Sequence, residues 1–228
     1  MNTYLLINLL IIIFPLAMSF EGRVRYYKKY KFIFSSIAAA AVPYLLWDSI
    51  AAYRGDWSFN DKYVMDFRLM HLPAEEILFF ITVPYSALFV YESLCIYLKD
   101  TELKINKMFF TSAGLILSVS GILFFPRYYT FTVFIFAGIF LILNAVFNIK
   151  LLRSSIYWIF ILLMYVPFMI FNYILTSLPV VEYSSNAILG YRFLTIPAED
   201  FLYSFSMLSL NLSVYLLIKK KWQKKIEK

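Results

Sequence analysis

The sequence predicts an all-α polytopic membrane protein of seven transmembrane helices, arranged as a parallel 3+1+3 internal repeat. Three observations carry that reading. The 228 residues are 62% hydrophobic and only 15% charged, with mean hydropathy +0.72, a balance outside soluble globular usage. Seven apolar runs approach the roughly 20 residues that a spanning helix needs. A charged tetrapeptide also occurs twice, since Pro73-Ala74-Glu75-Glu76 returns as Pro197-Ala198-Glu199-Asp200.

The spans follow in order. The first, 4–20, has no basic residue before it and a basic cluster after it, the reverse of a signal peptide, so it is expected to be retained. The second, 32–53, is interrupted by Asp48, and the third, 72–98, contains Pro84, which predicts a kink. The fourth, 108–125, and the fifth, 128–148, are joined by a short turn at Pro126-Arg127. The sixth covers 155–178 and the seventh 195–218.

Charge sets the orientation. Arg23, Arg25, Lys28, Lys29 and Lys31 follow the first span, and Lys99, Lys104 and Lys107 follow the third. Lys150 and Arg153 follow the fifth, and Lys219, Lys220, Lys221, Lys224, Lys225 and Lys228 follow the seventh. That places 16 basic residues on one side, against Arg54, Lys62, Arg68, Arg127 and Arg192 on the other. The positive-inside rule then puts the N-terminus out and the C-terminus in the cytoplasm. The net charge of +7 rests largely on the C-terminal lysines, which fit a membrane face better than a nucleic-acid site.

The tetrapeptides lie 124 residues apart. The same offset carries Val42-Pro43 onto Val166-Pro167, Trp47 onto Phe171, Asp48 onto Asn172, Ile50 onto Ile174, Arg68 onto Arg192 and Leu78 onto Leu202, without a gap. This reads as an internal repeat within a single membrane domain. Repeat one covers about 1–98, a linker helix about 99–126, repeat two about 127–218 and a basic tail 219–228. Both copies enter the bilayer in the same direction, so the repeats are parallel.

A proline is favoured where a helix starts, and carboxylates suit the positive end of a helix, so one tetrapeptide alone has an ordinary structural explanation. The topology, however, puts both at the outer face. Asp48 lies about five residues below that face, roughly 7.5 Å at 1.5 Å per residue, with Asn172 at the matching depth. Asp48, Glu75, Glu76, Asn172, Glu199 and Asp200 can therefore share one layer, with Arg68, His71 and Arg192 just above and Glu92 about 24 Å lower. Charges at such depth face the bundle interior, pair or titrate. A carboxylic acid kept protonated in an apolar pocket is a general acid. Tyr44, Trp47, Phe79, Phe80, Phe168, Phe171, Phe201, Tyr203 and Phe205 surround the layer, and ring faces attract cations. Acids among aromatic walls suit carbocation chemistry on an apolar substrate, although any one ring is also what ordinary helix packing supplies.

Other chemistries lack residues. Cys95 is the one cysteine, which leaves no intrachain disulfide, and His71 is the one histidine. No spacing resembles a zinc or haem site. The six glycines never form G-x-G, so no dinucleotide fingerprint is present.

Together the two acidic tetrapeptides, the Pro-x-x-x-Trp-Asp run at Pro43–Asp48 and the Pro43/Pro167 match resemble the integral-membrane carotenoid cyclases, over nearly the whole chain. These are small lycopene cyclases, found in bacteria as two subunits or as one fused chain, and in fungi fused to phytoene synthase. The resemblance implies the fused form in a bacterial cell membrane, acting on lycopene without a cofactor and without metal. The linear ψ ends become β-rings, giving γ-carotene and then β-carotene. It implies catalytic roles for Glu75, Glu76, Glu199 and Asp200, with Glu75 or Glu199 assigned as the proton donor to the terminal C1=C2 bond and Asp48 as a further candidate. Trp47, Tyr44, Asn172, Phe79, Phe171, Tyr203, Arg68 and Arg192 are the candidate substrate-binding residues. Asn172 opposite Asp48 implies that the halves are not chemically equivalent. Association with other enzymes of carotenoid synthesis is a further expectation.

Three other classes compete. A small parallel-repeat transporter would carry polar groups near the midplane, whereas these acids gather at one face. A retinal-binding protein would need a lysine in the seventh span, and 197–218 contains none. A non-catalytic subunit of a carotenoid-synthesis complex differs from the enzyme only by experiment.

Overall fold

A computed structural model describes residues 2–226; Met1, Glu227 and Lys228, the last counted in the predicted basic tail, lie outside it. Among the described residues are eight α-helices: α1 (Thr3–Met18), α2 (Tyr30–Arg54), α3 (Ala74–Tyr97), α4 (Lys107–Leu123), α5 (Tyr128–Phe147), α6 (Ile149–Arg153), α7 (Ser155–Ser177) and α8 (Ala198–Ile226). A 3-10 turn, Tyr26–Lys29, leads into α2. Every predicted span falls on one of these helices. α2 with its leading turn, α3, α5, α7 and α8 are long and apolar enough to cross a membrane. α1 and α4 are apolar but only 16 and 17 residues long, a rise of about 24–26 Å against a hydrocarbon core of about 30 Å. The protein is thus a helical membrane protein.

Pro15, Pro43, Pro84 and Pro167 lie inside helices that run on through them. α8 continues past the predicted end at 218, so Lys219, Lys220 and Lys221 are helical rather than a separate tail.

The chain is mostly helical, as expected, but among the described residues six short strands also form three two-stranded sheets. β1 (Trp57–Phe59) pairs antiparallel with β4 (Val181–Tyr183). β2 (Arg68–Leu69) pairs with β3 (Leu72–Pro73), and β5 (Arg192–Phe193) with β6 (Ile196–Pro197). The segments between α2 and α3 and between α7 and α8 fold back against the helix ends. Their buried backbone groups need partners there, and short ladders provide them.

α1 packs on α3, α5 on α8, and α2 against both α3 and α8. α4 lies against α5, where Gly114 and Gly138 bring the backbones together: a Cβ on Gly114 would meet the Gly138 carbonyl at 2.7 Å.

Many contacts recur at the 124-residue interval. Met65 N–H donates to Glu75 Oε1, and Leu189 N–H donates to Glu199 Oε1. Ala74 N–H reaches the Phe67 carbonyl, and Ala198 N–H the Tyr191 carbonyl. Asn60 N–H donates to Val180 O while Ser184 N–H donates to Asp56 O. Between β1 and β4, Trp57 faces Tyr183 and Phe59 faces Val181, with Ser58 opposite Glu182 at the centre.

Candidate active site

Adjacent helical residues point in directions about 100° apart, and this separates the two carboxyls of each tetrapeptide. Pro73 and Pro197 end strands just before α3 and α8, which begin at Ala74 and Ala198. Glu75 and Glu199 turn toward the preceding loops, accepting Met65 N–H at 2.8 Å and Leu189 N–H at 2.6 Å. Thr130 Oγ1 also donates to Glu199, at 2.6 Å. Glu76 and Asp200 turn instead into a cavity of about 280 Å³.

Asp48, from α2, lines the same cavity as Glu76, and both carboxyl groups are buried. A buried carboxyl group is costly as an ion, so two of them in one cavity are suited to holding a proton. Tyr4 donates its hydroxyl to Glu76 Oε2, and Tyr203 donates to Asp48 Oδ1 at 3.0 Å. Asp200 is held differently. It accepts from Tyr129 at 2.6 Å, from Asn172 Nδ2 at 2.8 Å and from Tyr183 at 2.9 Å. Accepting three times over is the arrangement of a carboxylate. Burial, then the Asp200 charge, pushes the Tyr183 phenol well above its usual range, so it remains a donor.

The rest of the cavity is mostly apolar, with Ser86 and Ser204 among its lining. Phe79, Phe171, Phe168, Pro167 and Met164 contribute walls, and Val90 lines it far down α3. From Glu76 to Val90 is about 21 Å along that helix at 1.5 Å per residue. Trp57, Phe59, Val181 and Tyr183, from the β1–β4 pair, roof the acidic end. The space is a long slot with its carboxyl groups at one end. Its volume lies just below the usual range for a small-molecule pocket, about 300–1,000 Å³.

Of the residues singled out in the sequence, Asp48, Glu76, Asp200, Asn172, Phe79, Phe171 and Tyr203 line this cavity. Glu75 and Glu199 do not, for the reason given. Trp47 and Tyr44 are buried beside it in an aromatic cluster, where Tyr44 donates to Ser206 at 2.8 Å. Arg68 and Arg192 lie on the outer hairpins, Arg68 paired with Asp61 and Arg192 donating to Thr195 O at 2.6 Å. Their matched register belongs to the hairpins, where each faces the proline that precedes a helix. Sequence reasoning missed Tyr4, Tyr129, Tyr183 and Trp57. The alternation Trp57-Ser58-Phe59 was the available signal for the roof. Among the described residues, no three His, Cys, Asp or Glu side chains form a metal-binding group.

Fold and site define a class: a helical membrane protein with a narrow apolar slot ending in carboxyl groups. The lycopene cyclase family model matches residues 1–94 and 126–218, and the chain belongs to that family. Membership carries a carotenoid cyclase function. No curated protein and no solved structure matches the chain.

Proposed function

We propose that the chain is a lycopene β-cyclase that closes ψ ends by proton transfer alone, without a cofactor. The observation that carries this reading is the two buried carboxyl groups of Asp48 and Glu76 sharing one slot with Asp200 and its three donors. The pair is the acid and Asp200 the base. The pair's proton adds to C2 of the terminal C1=C2 bond. The C5=C6 bond attacks the C1 cation and forms the C1–C6 bond, leaving a cation at C5. Ring faces such as Phe79 and Phe171 stabilise it. Asp200 removes the C6 proton, the C5=C6 bond re-forms, and the product is a β-ring. One proton enters and one leaves, so the reaction is a redox-neutral isomerisation. Between turnovers Asp200 gives its proton to solvent and the pair takes one up from solvent, which readies the next cycle. The β1–β4 roof excludes water that would otherwise trap the cation as an alcohol.

The reading includes seven spans, α1–α5, α7 and α8, with the N-terminus outside and the C-terminus in the cytoplasm of a bacterial cell membrane. The basic asymmetry of the loops supports it. It also includes a single domain made of two parallel repeats in one fused chain. The contacts that recur at 124 residues support this, as do family segments lying on either side of α4. Lycopene dissolved in the bilayer is the substrate.

Solvent deuterium tests the chemistry. Purified protein in liposomes, given lycopene in D₂O and no added cofactor, is expected to form β-carotene carrying one solvent deuterium per ring. Product without deuterium would overturn the proton-transfer mechanism. Product that forms only after a nucleotide or flavin is supplied would overturn cofactor independence.

A further inference from the structure

The slot has a counterpart position elsewhere in the molecule, and there it is filled. Tyr4 on α1 and Tyr129 on α5 make matching contacts. Their N–H groups donate to Tyr63 O and Ala187 O, and their hydroxyls to Glu76 and Asp200. In that register Ile11 corresponds to Phe136. On α2 and α7 the 124-residue offset pairs Tyr44 with Phe168 and Trp47 with Phe171. Ile11, Phe168 and Phe171 line the open slot. Phe136, Tyr44 and Trp47 instead pack on one another. The Trp47 and Phe136 centroids are 4.6 Å apart, and Tyr44 lies 5.5 Å from Phe136. Trp47 Nε1 hydrogen-bonds to no described residue, so the contribution of Trp47 is the bulk of its ring. The open slot reaches the lipid-facing surface at Phe14, which lines it yet is 64% exposed.

We propose that the polyene enters through a single lateral opening between α1 and α7, and that Trp47 seated on Phe136 closes the equivalent route between α2 and α5. The inference rests on the cyclase reading for its substrate, but the opening itself is read from the packing. Both halves deliver their carboxyl groups to the one slot, so the enzyme handles one ψ end per visit. A symmetrical polyene withdraws into the bilayer, turns and presents its second end. The unreacted length stays in lipid, beyond Phe14.

The test transplants the plug. The double variant Ile11→Phe/Phe171→Trp copies the closed side into the open one, and Trp47→Phe/Phe136→Ile does the reverse. Lycopene conversion in liposomes is expected to fall about 10²-fold or more in the first, as when a substrate is held out of position, and to persist in the second. Full activity in the first variant, or loss confined to the second, would overturn the proposal. Retention of lycopene by the purified proteins, read from its visible absorbance, gives an answer independent of turnover. Wild-type protein that retains lycopene but never cyclises it, beside a plugged variant that retains none, would support the opening and sink the cyclase reading. A photo-crosslinking residue at Phe14, compared with one at Ile139, needs no core repacking. Adduct with lycopene at 14 well above that at 139 supports the α1–α7 route, and equal or reversed labelling contradicts it.

Discussion

Glu76 and Glu92 lie on the same helix and both are buried, yet their surroundings differ in kind. Glu92 accepts from Lys29, from Tyr215 at 2.6 Å and from Lys219 at 2.7 Å. Two ammonium groups balance its charge, and the cluster ties the ends of α3 and α8 to the start of α2. Glu76, about 24 Å away along α3, has no ion-pair partner among the described residues. Its hydrogen-bond partner is a phenol, and it faces a cavity that Asp48 also lines. A buried carboxylate with cations is a structural tie. A buried carboxyl with only phenols, an amide and other carboxyls around it can exchange a proton with a guest. Charge and depth are shared by the two glutamates; the partners distinguish them.

The comparison can be strained at each end. The largest effect is expected at the base. Asp200→Asn keeps the size of the side chain but cannot take up a proton at this position, and general acid–base roles are worth about 10²–10⁴-fold in rate. Lycopene conversion per folded molecule measures it. Next, Tyr183→Phe removes one of the three donors to Asp200. Turnover is expected to fall about tenfold, equivalent to roughly 1.4 kcal/mol in the barrier, with little loss of folded protein. The smallest effect on chemistry is expected at the opposite end of α3. Glu92→Gln should leave turnover per folded molecule unchanged. It should lower unfolding stability by about 1 kcal/mol, since both lysines are partly exposed and water screens them. A Glu92→Gln protein that folds normally but fails to convert lycopene would erase the distinction.

Much of this was legible in the sequence, and the gaps have physical causes. Hydropathy located the helices because a bilayer demands long apolar runs. Helix rise placed Asp48 level with the tetrapeptides, and Asp48 does line one cavity with Glu76 and Asp200. What the repeat could not reveal was which face of α3 and α8 fronts a cavity. The expected proton donor therefore fell on Glu75 or Glu199, whereas Glu76 and Asp200 are the members that line the cavity. Arg68 and Arg192 drew attention through their shared register, which the hairpins account for. The tyrosines were hidden for another reason. Tyr4 and Tyr129 are 125 residues apart rather than 124, and Tyr183 has Phe59 as its counterpart, so the offset missed all three. Three-residue strands such as Trp57–Phe59 carry too little periodicity to announce a roof.

The central claim is that neighbouring glutamates on one helix divide between chemistry and architecture. It is tested most directly by comparing Glu75→Gln with Glu76→Gln in the same membranes, each normalised to folded protein. Glutamine at 75 still offers an oxygen to Met65 N–H, so conversion of lycopene is expected to stay near wild type, and stability to change by no more than about 1 kcal/mol. Glutamine at 76 cannot pass on a carboxyl proton, and conversion is expected to fall by about 10²-fold or more. A loss at 75 with activity retained at 76 would contradict the account.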